Sequence, residues 1–191
     1  MSTHDPVDHE RIFGPLLVEV ISVLASLPAP FMLIGGLAVG VRASPRATRD
    51  ADFSLLADES VSRRLVEEMS ARGFSVRMHG TPGPGEVMRF HRPGADGIER
   101  WVDVLVAGTS FEEKAIARAT EERFLGQLVP VATVEDLVVF KLVAGRPQDY
   151  ADVAGLLEEH AGRLDDAYLD ACAADWGIEG SLARARARLQ P

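Results

Sequence analysis

The chain reads as a mixed α/β fold, an α+β core on a mixed sheet followed by a C-terminal helical lobe. Three observations predict it. Short apolar runs bounded by glycine and proline alternate with amphipathic stretches between about residues 30 and 106. Helical periodicity takes over beyond Gly108. The length of 191 residues, 47% of them apolar, suffices for one core plus an appended lobe.

The elements follow in order. Pro15 suits the first turn of a helix in which Leu17, Val20, Ile21, Leu24 and Leu27 recur at helical spacing, with Pro28 as its end. Phe31 to Ile34 is a short buried strand, broken by Gly35-Gly36, and Leu37 to Val41 begins a helix that Ser44-Pro45 stops. Ala51 to Leu56 is a strand. Asp58 to Arg72 is an amphipathic helix turning Val61, Leu65, Val66 and Met69 inward, with Gly73 at its C-terminus. Phe74 to Met78 is a strand and His79 to Gly85 a loop. Glu86 to His91 and Ile98 to Val106 form strands joined by a turn carrying Asp96-Gly97. Beyond a boundary near residues 107 to 110 come helices over Ser110 to Thr120, Thr133 to Ala144, Pro147 to His160, Asp165 to Asp175 and Ile178 to Leu189, with Val129 to Val131 extended. The expected units are therefore a core over 1–108 and a helical lobe over 109–191.

Charge and cysteine usage narrow the function classes. A net charge of −9 disfavours a broad electrostatic grip on nucleic acid, although a local basic patch suffices for local contacts. One cysteine, Cys172, excludes an internal disulfide and a cysteine-based zinc cluster, and fits a reducing cytoplasm. Met1 to Glu10 lacks the basic start and apolar run of a signal peptide, and no apolar stretch reaches membrane-spanning length. Only Lys114 and Lys141 are lysines among 20 basic residues, which makes each lysine more informative than usual.

Four segments carry chemistry. On a strand, Asp50 and Asp52 share a face about 6.5 to 7 Å apart along the backbone, and two such carboxylates repel unless a cation neutralises them. A solvated strand face is the bland alternative. Asp103 sits alone in the apolar run Trp101 to Val106, where an unpaired carboxylate costs several kcal/mol. It needs either a metal shared with other acids or an arginine such as Arg100 or Arg42. Gly35-Gly36, between strand and helix, is either a plain turn or an opening of backbone amides towards a phosphate. Arg46 and Arg49, flanking Thr48, either hold phosphates or balance the aspartates.

Lys141 is the only charge in the C-terminal half of a helix that is otherwise apolar. It either snorkels over the core or reaches triphosphate oxygens. Pro147 suits a first helical position, which places Asp149 in the first turn, where it complements the helix dipole, with Asp152 on the same face. The five histidines lack metal-ligand spacing, no serine lies in a nucleophile elbow, and Gly80 to Gly85 is no Walker loop.

In combination, Ile34-Gly35-Gly36-Leu37, Arg46-Ala47-Thr48-Arg49-Asp50-Ala51-Asp52, Val102-Asp103-Val104, Phe140-Lys141-Leu142 and Arg146 followed by Asp149 and Asp152 resemble the abortive-infection (AbiEii-like) nucleotidyltransferase family of the DNA polymerase β nucleotidyltransferase superfamily. The resemblance spans roughly residues 31 to 157. It implies a nucleotidyltransferase core in which Gly35 and Gly36, with Arg46, Thr48, Arg49, Lys141 and Asp149, hold the nucleoside triphosphate. Asp50, Asp52 and Asp103 would bind Mg2+, and Asp103 would help deprotonate the acceptor hydroxyl. Two departures stand out: the turn is Gly-Gly where many members have Gly-Ser, and Pro147-Gln148 replaces a more basic stretch. The expected activity is transfer of a nucleoside monophosphate to a hydroxyl on RNA, with transfer RNA foremost, or on a protein, alongside a cognate antitoxin or toxin partner. An antibiotic-modifying enzyme and a catalytically silent binding module are the alternatives.

Overall fold

The computed structural model describes residues 9–44, 48, 50–93 and 99–188, of which 9–13 and 99 are described as backbone only. Seven strands and eight helices are present among them: α1 (His9–Ser26), β1 (Phe31–Ile34), α2 (Gly35–Arg42), β2 (Asp50–Leu55), α3 (Glu59–Ala71), β3 (Ser75–Arg77), β4 (Val87–Pro93) and β5 (Glu99–Val106). Then follow α4 (Ser110–Arg118), β6 (Thr120–Phe124), β7 (Gln127–Val131), α5 (Val134–Ala144), α6 (Pro147–Glu159), α7 (Asp166–Trp176) and α8 (Glu179–Ala187). The expected mixed α/β core is present.

All strands belong to one sheet, in the order β3-β4-β5-β2-β1-β7-β6. The pairs β2/β5 and β1/β7 are parallel and the other four antiparallel. Alternation in β2 and β5 sorts the side chains. Ala51, Phe53 and Leu55, with Val102, Val104 and Val106, are fully buried and join Leu17 and Leu24 of α1 and Leu65 and Met69 of α3 in one core. The intervening residues, Asp50, Asp52, Trp101 and Asp103, lie on the opposite side. Asp58 caps α3 through a bond from the Val61 amide at 2.9 Å, and the Thr109–Glu112 capping box starts α4.

Two expectations need correction. Pro15 is not a first-turn residue: α1 begins at His9 and carries Pro15 inside it. Residues 120–131 are not limited to a short extended piece either. They form a β6–β7 hairpin that pairs β7 with β1, so the sheet draws strands from both sides of the expected boundary near residues 107 to 110. Its two-residue turn, Leu125-Gly126, has positive φ at both positions (51° and 78°), which suits a tight hairpin. The expected Asp96-Gly97 turn lies outside the described residues. No helix among the described residues is long and apolar enough to cross a membrane.

Candidate active site

Parallel pairing of β2 with β5 sets Asp52 beside Asp103 and Asp50 beside Trp101. Side chains paired in this way project to the same side of the sheet, so the three carboxylates expected from two distant segments share one face. Thr48 orients the first of them, donating from Oγ1 to Asp50 Oδ1 at 2.8 Å. Asp52 is packed closely against Gly35. Its carboxyl is pushed up from 3.8 to about 6, first by burial, then by the charges of Asp50 and Asp103, while Lys141 and Arg146 pull it back.

Gly35 explains how Asp52 fits there. It opens α2 with φ at +69°, and a Cβ at this position would lie 2.0 Å from Asp52 Oδ2. No other residue can stand between strand and helix without displacing the carboxylate. Ile34, the residue before the helix, supplies no side-chain cap, so the amino end of α2 faces the carboxylates with its first-turn amides uncapped by a side chain.

The lobe supplies the opposite wall. Gly145 ends α5 in the left-handed conformation at φ 65° and Arg146-Pro147 starts α6 at once, which folds Lys141 back over the first turns of α6. Lys141 is only 5% exposed, and its Nζ lies 3.2 Å from Asp149 Oδ1 and 2.8 Å from Asp152 Oδ2. Snorkelling is thereby excluded: the ammonium is buried between two buried carboxylates. Asp149 also accepts from the Arg146 amide at 3.1 Å and from Arg146 Nε at 2.7 Å. Burial alone would push the Asp149 carboxyl up, but the bonds from Arg146 and Lys141 hold it below the usual range. A cavity of about 230 Å³ lies between the walls, lined by Gly36, Thr48, Asp50, Asp52, Lys141 and Asp149, together with Arg146 and Gln148.

The arginine that meets Asp103 was not among the candidates. Arg89 of β4 stands opposite it in the antiparallel register and grips it through both oxygens, Nε to Oδ1 at 2.7 Å and Nη2 to Oδ2. Counting back from the turn expected at Asp96-Gly97 puts residue 89 within one position of residue 103, a signal that could have found it. Arg42, one of the two expected partners, is engaged elsewhere: it ties α2 to the β6–β7 hairpin through the Ala132 and Val131 carbonyls, each at 2.9 Å, and through Glu122 at 2.5 Å. Arg46 and Arg49 lie outside the described residues.

With fold and site defined, comparison with known proteins is informative. The family model described as "Nucleotidyl transferase AbiEii toxin, Type IV TA system" matches residues 17–187. The chain belongs to the AbiEii nucleotidyltransferase toxin family. It is thus a nucleotidyltransferase, and the fold agrees. An antigenic nucleotidyltransferase-like protein from Paracoccidioides brasiliensis superposes with a TM-score of 0.53 at 16% identity, over 88% of this chain and 90% of that one. The lincosamide antibiotic adenylyltransferase LnuA gives 0.51 at 14% identity, over 80% and 98%. The antibiotic-resistance factor ANT(2″)-Ia gives 0.55 at 13% identity, over 92% and 96%. At these identities the likeness concerns the fold alone. No curated protein matches at the sequence level.

The donor set of this AbiEii-family transferase suits a hard divalent cation: anionic oxygens of Asp50, Asp52 and Asp103 on one face, with the burial and repulsion at Asp52 only partly offset by Lys141 and Arg146. No three acidic, histidine or cysteine side chains among the described residues are already drawn together as a cage, and Asp103 is turned to Arg89. The donors fit a metal in chemistry, with Arg89 holding the third carboxylate in its place.

Proposed function

We propose that the chain moves a nucleoside monophosphate from a nucleoside triphosphate to a hydroxyl on RNA, transfer RNA foremost, with pyrophosphate as the leaving group, as the toxin of a toxin–antitoxin pair acting in the cytoplasm. The observation that carries this reading is the register pairing of Asp52 with Asp103, on the same sheet face as Asp50 and beside the glycine-opened end of α2. In this reading Asp50, Asp52 and Asp103 are the ligands of Mg2+. The bound metal would supply neutralisation of the phosphate charge that builds up during transfer.

The chain's own residues account for the rest. Gly35 and Gly36 give the triphosphate close access to the amino end of α2. Thr48 fixes the rotamer of Asp50. Arg146, whose side chain is 71% exposed, offers a guanidinium to phosphate oxygens, while Asp149 holds it at the cavity. In the same reading Arg46 and Arg49, which lie outside the described residues, would contact the nucleotide as the family resemblance implies. Asp103, once released from Arg89, is placed to take the proton of the attacking hydroxyl. In this reading the expected core over 1–108 supplies the carboxylates and the expected lobe over 109–191 supplies Lys141 and Asp149, with the β6–β7 hairpin tying the two through one sheet. A cognate antitoxin is the partner that the family name implies.

The test incubates the protein with each labelled triphosphate and total cell RNA, with Mg2+ or with EDTA. Label should enter RNA only with the metal, and Asp50→Ala and Asp52→Ala should each abolish it while keeping the native circular dichroism. Transfer retained by either variant rejects the assignment.

A further inference from the structure

Beyond Asp103, away from the cavity, the same face of the sheet continues over β5, β4 and β3 with no covering helix among the described residues. Val87 is 40% exposed there and the Arg89 side chain 49%. Trp101 lies at the centre of this surface, paired with Asp50 on one neighbouring strand and with His91 on the other. The His91 ring is 4.5 Å from the indole, and two guanidinium groups sit over it, Arg77 at 5.2 Å and Arg89 at 5.7 Å. Among the described residues Arg77 makes no ion pair, and its side chain is exposed. In a chain of net charge −9, an open basic and aromatic surface touching the carboxylate cluster calls for an anionic, aromatic ligand.

We infer that Trp101, Arg77 and Arg89 form the acceptor subsite, holding the terminal nucleotide of a single-stranded RNA. The base stacks on the indole, and the guanidinium groups turn to its phosphate. The inference rests on the transfer reading above and adds to it where the acceptor lies and which chemistry recognises it. Adjacency makes the arrangement productive: Trp101 stands beside Asp50, and one strand position pair separates it from Asp52 and Asp103. A ribose attached to a base at Trp101 therefore lies next to the carboxylates. Arg89 acts twice. A phosphate that draws it from Asp103 frees that carboxylate, so acceptor binding completes the acidic cluster. A polycationic antibiotic meets the wrong sign of charge on this surface.

Binding can be read without catalysis. In EDTA, with no triphosphate, a single-stranded tetraribonucleotide is titrated against the full chain carrying Trp176→Phe, so that Trp101 is the only indole. Quenching of Trp101 that saturates, and a dissociation constant raised about tenfold by Arg77→Gln with a salt slope shallower by about one ion, support the subsite. Absence of quenching, or affinity unchanged by Arg77→Gln, overturns it. Trp101→Leu serves as a second variant, read by filter binding. Stronger quenching by an aminoglycoside than by the oligonucleotide also overturns the inference. If the wild-type chain binds the oligonucleotide but labels no RNA, the transfer reading fails while the subsite stands.

Discussion

Asp52→Asn exchanges a confined carboxylate for a neutral side chain of the same shape, and its effect on folding can be worked from the surroundings. In the unfolded chain the group ionises near 3.8, and in the folded, metal-free chain at about 6. Between those values the folded state binds more protons than the unfolded state, so stability falls as pH rises through the window from about 4 to 6. Above it the full penalty is present. Below it the penalty vanishes. About two pKa units at 1.36 kcal/mol each put the upper limit near 3 kcal/mol, with partial solvent contact trimming it. Urea unfolding in EDTA should therefore show Asp52→Asn more stable than the parent by about 2 to 3 kcal/mol at pH 8, with the gap closing towards pH 4. The same substitution should abolish nucleotide transfer. A variant less stable than the parent at pH 8, or a gap that does not change with pH, would refute the account of Asp52 as a buried, incompletely compensated charge.

Gly35→Ala should cost at least about 2 kcal/mol, from left-handed backbone strain plus displacement of Asp52, and should remove transfer. Gly126→Ala, at φ 78° with nothing within 4 Å of a new Cβ, isolates the strain alone, and thermal melts of the two should differ clearly. Lys141→Ala takes a shared cation from two buried carboxylates and should lower stability by about 3 kcal/mol in urea titration, whereas a loss below about 1 kcal/mol would mean the ion cluster is not structural.

Much of this site is legible in the chain because alternation and helical spacing are local. Asp50 and Asp52 must share a strand face, Asp103 must interrupt an apolar strand, and Lys141 must lie on a buried helix. What local pattern cannot supply is the order of strands. Nothing in residues 50–55 or 99–106 states that these two strands are neighbours and parallel, and the pairing of Asp52 with Asp103 depends on it. Lys141 was visible as an oddity, but its counter-ions were not, since Gly145 reverses the chain between them. The β6 strand, with Glu121, Glu122 and Arg123 in succession, has the polarity of a solvated turn. It pairs because it is an edge strand with few buried side chains to satisfy.

The parallel pairing of β2 with β5 also carries a lesson about timing. Two parallel neighbours cannot be joined by a hairpin, and here α3, β3 and β4 must all be laid down before Asp103 can reach Asp52, with Lys141 following later still. Contacts so remote along the chain slow folding. A nascent or prematurely terminated polypeptide ending before residue 103 holds only two of the three acids of the cluster, Asp50 and Asp52. In the proposed reading, the transfer site is assembled only after Lys141 and Asp149 have been made, long after Asp50 and Asp52.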